Sequence, residues 1–238
     1  MRVRFAIALL LLAAFGLPAK AQEGRERPLT VVELFTAQGC DGCPDANAYA
    51  AGLARNPDLI VLTYGVDYWD YLGWEDTFAR PEFVERQRAY RAALRQRDIY
   101  TPQVVINGHG QAPGVRAEAL DTLLGEERGR PRAVIDTRFQ NDGQRIAVGS
   151  GRAPRGGADV WLVRYQAEVD PVLVRRGENR GVSVPHANVV RELADIGDWR
   201  GRAASYDLPE PSVPGLTTVV LVQARATGEI LAADRLDP

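Results

Sequence analysis

Cys40-Asp41-Gly42-Cys43-Pro44 holds the two cysteines of this chain, and it falls where a strand-like pattern gives way to a helical one. Leu29–Phe35 is mostly apolar and β-branched, as a buried strand is. Ala46, Tyr49, Ala50 and Leu53 then recur at helical spacing until Asn56-Pro57 ends the helix. Leu59–Tyr64 is a second apolar strand. Strand, helix and strand within about 35 residues make a βαβ unit with parallel strands. A Cys-x-x-Cys turn at a helix start lets the two sulfurs meet, while the helix amides and dipole favour a thiolate on the first of them. Cys40 is therefore expected to be an exposed nucleophile that forms a mixed disulfide with a partner. Cys43, one turn further in, is expected to resolve it.

The rest of the inventory excludes most other chemistry. In 238 residues, of which 45% are hydrophobic, there is material for a sizeable core. Two cysteines cannot form a disulfide scaffold and two histidines cannot form a multi-histidine metal cluster. Residues 1–21 carry Arg2 and Arg4, an apolar run from Phe5 to Leu17, and Pro18-Ala19-Lys20-Ala21, which are the parts of a secretory signal peptide. The apolar run is shorter than the roughly 20 residues a membrane-spanning helix needs. Cleavage after Ala21 would leave a periplasmic or secreted product with no membrane anchor and no lysine for Schiff-base chemistry. In such an oxidising compartment the cysteine pair can persist as a disulfide. The formal charge of −2 becomes more negative once Arg2, Arg4 and Lys20 are removed, so charge gives no pull toward nucleic acid. Phosphate loops, dinucleotide fingerprints and serine nucleophile elbows are absent from the sequence, and no cofactor or metal is expected.

Beyond the βαβ unit lies an aromatic loop, Asp67-Tyr-Trp-Asp-Tyr-Leu-Gly-Trp74. Asp67, Tyr68, Trp69 and Trp74 either line a substrate groove or plug a gap in the core, and the usual burial of aromatics favours the plug. Residues 81–97 read as a helix with Phe83, Tyr90 and Leu94 on one stripe, and Arg86 paired with Glu82 on a solvated face. Gln103–Gly108 is a strand ending in a turn, and Val115–Leu124 a short closing helix. After Gly129-Arg-Pro131 the helical rhythm fades. Residues 134–139 and 145–148 flank the hairpin turn Asn141-Asp-Gly143, and further strands are expected over 159–167, 172–175, 217–226 and 229–233. Together they predict a small all-β, sandwich-like domain over residues 130–238. Arg176-Gly-Glu-Asn-Arg-Gly181 reads as a turn with local Glu178–Arg180 pairing.

Taken together, the strand Leu29–Phe35, the Cys40–Cys43 motif, the strand Leu59–Tyr64 and Thr101-Pro102 ahead of Gln103–Asn107 resemble the thioredoxin superfamily over residues 29–125. The resemblance implies an α/β thioredoxin-like domain with a helical insertion over residues 22–129. It also implies a cis bond before Pro102, which would face the redox pair, with Thr101 offering its backbone to an extended substrate segment. In that superfamily a buried carboxylate six residues before the first cysteine assists proton transfer. Glu33 stands seven before Cys40; Gln38-Gly39 would have to absorb the offset, and otherwise Glu33 is a strand-edge glutamate facing water. More narrowly, Glu33–Pro44, Val66–Trp74 and Arg176–Gly181 with His186 look like an uncharacterised family of exported bacterial proteins with a thioredoxin-like domain. That resemblance spans nearly the whole chain and implies no established activity.

These readings converge on an exported thiol–disulfide oxidoreductase acting on protein thiols or disulfides. With no third cysteine as an internal relay, it needs an external redox partner. Asp41 beside Cys40 opposes a second negative charge, which places the pair toward the reducing end of the scale. The alternative is a non-enzymatic periplasmic binding protein whose Cys40 and Cys43 form a structural disulfide or a copper- or zinc-binding thiolate pair. An accessible Cys40 beside a cis Pro102 favours the first reading, and a Cys40 covered by the aromatic loop favours the second.

Overall fold

The computed structural model describes residues 28–236, so the signal peptide expected over residues 1–21 lies outside the described residues. Strand β1 (Thr30–Thr36) pairs in parallel with β2 (Leu59–Gly65) through the intervening helix α1 (Cys43–Leu53). All seven residues of each strand are buried, because both faces of this part of the sheet are covered. Val32 and Leu34 face α1 and the later helix α3 (Ala117–Gly129), sharing a core with Ala46, Ala50 and Leu120. Val31 and Phe35 point the other way, into a second core with Phe83 and Tyr90 of helix α2 (Pro81–Ala93). On the far side of β1 runs antiparallel β3 (Gln103–Ile106), followed by the edge strand β4 (Gly110–Pro113). Between β2 and α2, Asp70–Leu72 forms one 3-10 turn.

The strands of the second half continue this sheet. After the hairpin β5 (Thr137–Gln140) and β6 (Arg145–Val148), whose turn holds Asn141 and Asp142 at positive φ, come two long strands, β7 (Ala158–Leu173) and β8 (Ser183–Trp199). Then follow β9 (Ala204–Asp207), β10 (Thr217–Ala224) and β11 (Ile230–Leu236). The eight-stranded sheet runs β11-β10-β7-β8-β2-β1-β3-β4, while β5-β6-β9 form a separate three-stranded sheet. Ile146 and Val148 from the smaller sheet share a core with Val160, Leu162, Val220 and Val222 of the larger one. The two halves join where β2 meets β8 in parallel at Thr63 and Val189. The Thr63 hydroxyl donates to the Ala187 carbonyl (2.8 Å), and the Asn188 amide donates to the Val61 carbonyl (2.9 Å).

Several local expectations are corrected. Strand β7 runs through Asp170-Pro171 as one element, with a register shift between Val169 and Val172 accommodating the proline. The 17-residue β8 and the short β4 and β9 carry no strand pattern in sequence. Helix α2 stops at Ala93, short of residue 97, and Arg95 takes a positive φ of 53°.

The largest correction concerns Arg86 and Glu33. Arg86 does not lie on a solvated face with Glu82, and Glu33 does not face water; both are buried, and the Arg86 Nε donates to Glu33 Oε1 at 2.6 Å. Because β1 is paired on both edges and covered on both faces, a water-facing position does not exist on it. The Tyr90 hydroxyl donates to Glu33 Oε2 and accepts from Arg86 Nη2 (3.1 Å) and Gln223 Nε2 (2.9 Å). The remaining Arg86 Nη1 donates to Gln223 Oε1 (3.2 Å), and the guanidinium lies 5.2 Å from the Tyr90 ring and 5.5 Å from that of Trp161. One buried ion pair thereby ties β1 and α2 to β10 and β7.

Removing one partner leaves the other charge buried without compensation. Arg86→Met is expected to cost about 3–5 kcal/mol of unfolding free energy, read from urea denaturation, and Glu33→Leu added to it should recover most of the loss.

Candidate functional site: a disulfide turn beneath two loops

Cys40 and Cys43 are bonded, with their Cα atoms 5.4 Å apart. Cys43 opens α1 behind Gly42, and Pro44 occupies the first turn, where its missing N–H costs nothing. The turn is closed by Cys40 N–H donating to Ala37 O (3.2 Å) and Cys43 N–H to Cys40 O (3.1 Å), while the Ala37 N–H points at Cys43 Sγ (3.5 Å). The Thr101–Pro102 bond is cis. Gly42 packs directly on that segment: a Cβ there would lie 3.5 Å from Pro102 Cδ and 3.0 Å from Val115 Cγ1. The disulfide turn, Thr101 and Pro102 are therefore one cluster, although Thr101 lies 58 positions after Cys43 in the sequence.

The sulfurs, however, are not accessible. Cys40 is 2% exposed and Cys43 fully buried, which corrects the expectation of an exposed nucleophile. Besides Pro102 and Val115, two loops pack on this turn. From the loop after β2, Trp69 packs on Gly39, where a Cβ would meet its own Cβ at 3.6 Å, and its indole N–H donates to Thr101 Oγ1 (2.7 Å). Tyr68 and Trp69 pack against the core that holds both cysteines, and the Tyr68 hydroxyl donates to Gln87 Oε1 (3.2 Å). Asp67 is exposed and its carbonyl accepts from the Asp70 N–H, just ahead of the 3-10 turn. Tyr71, stacked on Trp69, is left 78% exposed.

The second loop comes from the turn between β7 and β8. Asn179, 4% exposed, donates through Nδ2 to the carbonyls of Gln38 (2.8 Å) and Cys40 (2.6 Å). This is what Arg176–Gly181 contributes, in place of the expected Glu178–Arg180 pairing. Gln38 is the meeting point of the two loops. Its N–H donates to Asp76 Oδ2 (2.6 Å) and its side-chain N–H to Thr77 Oγ1 (2.8 Å), while its Oε1 accepts from the Trp74 indole (2.9 Å). Sequence reasoning passed over Gln38, Asp76 and Asn179. Gln38 and Asn179 lie within quoted motifs, but no spacing rule links residues 38 and 179.

Beside this cluster, Thr36, Thr63, Asp76, Phe78 and His186 line a narrow cleft. His186 packs edge-on against Phe78 (4.9 Å), over which Arg191 also lies (4.4 Å). His109 sits at the β3–β4 turn, at the other end of β3 from Pro102, and shares a hydrogen bond with Glu127 (2.7 Å). Among the described residues no three His, Cys, Asp or Glu side chains gather as ligands for a metal. Nor is any helix among them long and apolar enough to cross a membrane.

Asp76 and His186 respond to pH in opposite senses. Burial pushes the Asp76 carboxyl up from 3.8 to about 6, against the hydrogen bonds it accepts from the Gln38 and Phe78 amides. The folded protein keeps a proton there that the unfolded chain releases, so this stabilisation is complete below pH 3.8 and is lost as pH rises through about 6. Burial likewise pushes His186 down from 6.5 to about 4, and nearby Arg191 adds to the effect. That contribution is complete above pH 6.5 and is lost as pH falls toward about 4. The slopes, each at most about 1.4 kcal/mol per pH unit, offset each other in the native protein. Urea denaturation from pH 4 to 6.5 should show stability rising more steeply with pH in Asp76→Asn and falling with pH in His186→Gln.

Comparison with known proteins places this geometry. A family described as "Protein of unknown function (DUF1223)" matches residues 31–223. A protein of Agrobacterium tumefaciens, solved by X-ray crystallography as a structural genomics target, is 33% identical to the chain. The match covers 90% of this chain and 96% of that one, with a TM-score of 0.70. HBP35 of Porphyromonas gingivalis shares the fold at 11% identity and a TM-score of 0.55, over 90% of this chain and 76% of its own. No curated protein matches the chain. By the extent of the family match and the identity to the Agrobacterium protein, this chain belongs to the DUF1223 family.

Proposed function

We propose that this protein is an exported thiol–disulfide oxidoreductase built around a thioredoxin-like unit, with Cys40 as the attacking and Cys43 as the resolving sulfur. The observation that carries the reading is the direct packing of the Cys40–Cys43 turn on Thr101-Pro102 at the start of α1. In the reducing direction, the Cys40 thiolate attacks one sulfur of a partner disulfide, and the other partner sulfur leaves as a thiolate and takes up a proton. Cys43, deprotonated, then attacks Cys40 Sγ in the mixed disulfide. The second partner sulfur leaves, is protonated, and the Cys40–Cys43 bond closes. Two electrons and two protons pass to the partner, and an external dithiol must reopen the bond. The first-turn amides of α1 stabilise the Cys40 thiolate, Thr101 presents the partner segment, and Glu33, seven residues before Cys40, is the buried carboxylate for proton transfer.

The burial of Cys40 favours a second reading, a binding protein whose disulfide is structural. The bond makes a poor staple, however. A link across a sequence separation of 3 closes a very short loop, worth about 2 kcal/mol on the chain-entropy relation. The backbone hydrogen bonds from Cys43 to Cys40 and from Cys40 to Ala37 already hold the same turn.

Trapping separates the two. Cys43→Ala expressed with its export signal should accumulate mixed disulfides with defined proteins, visible on non-reducing gels, and Cys40→Ala should accumulate none. If neither variant captures a partner, the structural reading stands. The potential follows from Asp41, exposed on the turn, which opposes charge on Cys40. Equilibration with glutathione should place it nearer about −270 mV than about −120 mV.

A further inference from the structure

A partner sulfur must approach Cys40 Sγ along the S–S axis, and in the closed structure nothing can, since Cys40 is 2% exposed. The strands beneath cannot yield. Strands β1 and β2 are buried along their whole length, and β1 is hydrogen-bonded on both edges. Packed over the turn are two loops, held by a short set of polar contacts and by the core packing of Tyr68 and Trp69. One loop, residues 66–79, is pinned by the Trp69 indole on Thr101 and by Trp74, Asp76 and Thr77 on Gln38. The other, residues 174–182, reaches the redox turn through Asn179 alone among its side chains, on the carbonyls of Gln38 and Cys40. The two loops also touch each other: a Cβ on Gly177 would lie 3.7 Å from Leu72 Cβ and 3.9 Å from Trp74 Cβ.

We infer that these loops form a gate over the disulfide, with Asn179 as its latch, and that Cys40 becomes reactive when the β7–β8 turn lifts from Gln38 and Cys40. The Asn179 amide is well suited to the part. It is a single side chain that grips two carbonyls of the reactive turn from 139 residues away in the chain. Its release frees the Cys40 carbonyl and withdraws the support on which Leu72 and Trp74 rest. Loop opening of this kind exposes little surface and leaves the sheet intact, so its free energy lies well below that of global unfolding. The gate gives the proposed oxidoreductase a closed resting state and to that extent rests on that reading. Access to the bond can nonetheless be measured without any partner.

The experiment is the rate at which dithiothreitol opens the Cys40–Cys43 bond in the purified full chain, read as free thiols captured by a maleimide gel-shift reagent. Wild-type protein in native buffer should be reduced at least a hundred-fold more slowly than in 8 M urea, roughly the concentration that unfolds small domains. Asn179→Ala and Asn179→Asp should both raise the native rate about ten-fold; the aspartate sets a negative charge against the two carbonyls. Dependence on urea in the wild-type protein gives a test independent of the variants. Local opening leaves the rate flat at low urea, whereas reduction through global unfolding climbs steeply from the first addition. Native reduction as fast as in urea, a steep climb from zero urea, or folded Asn179 variants reduced at the wild-type rate would each overturn the gate. The trapping result with Cys43→Ala bears on the oxidoreductase reading alone, so a gate over an inert disulfide and an ungated oxidoreductase give different patterns.

Discussion

The ion pair between Glu33 and Arg86 lies at the centre of the molecule and constrains everything around it. A carboxylate on a strand buried on both faces is tolerated only if its charge is met by a cation and its oxygens by donors. Arg86 and Tyr90, one turn apart on α2, meet both requirements and so fix the position and rotation of that helix over β1. Gln223 then holds both Arg86 and Tyr90, which brings β10 to the same point. The rings of Phe35, Tyr64, Phe83 and Tyr90 pack on one another beside the pair.

That anchoring explains why the candidate site is composite. The disulfide turn follows the end of β1, the aromatic loop follows the end of β2, and Thr101-Pro102 precedes β3, so three connections converge at one end of the sheet. The fourth component arrives from the second half of the chain. The turn that precedes β8 lies over the same end, as the Asn179 hydrogen bonds to the Gln38 and Cys40 carbonyls show.

How much of this is legible in the sequence depends on the range of the interaction. The βαβ unit, the helix opening at Cys43, the hairpin at Asn141-Asp-Gly143 and the strands around residues 217–233 depend on local period and turn chemistry, and they stand where pattern places them. The burial of Tyr68 and Trp69 follows from aromatic character. Strand β8 was invisible because Pro185, Glu192, Asp195 and Gly197 break any alternation; its length is imposed by pairing with β7. Arg86 looked like its arginine neighbours on α2, since nothing local says which guanidinium will find Glu33 53 residues away. Cys40 was expected in the open because helix-start chemistry is local, whereas its cover is assembled from residues 69 and 179.

The continuity of the sheet also bears on inheritance. Many chains grow by recombining autonomous cassettes, each carrying its own finished core. Here a fragment ending near residue 129 would carry β2 with a naked edge and would lose Val163, Val219 and Leu221 from the core that holds Phe35 and Tyr64. Such an edge invites pairing with other chains. The two halves each keep a core of their own but share a third, so a change that repacks Phe35 or Tyr64 is felt at Val163 and Leu221 across the chain.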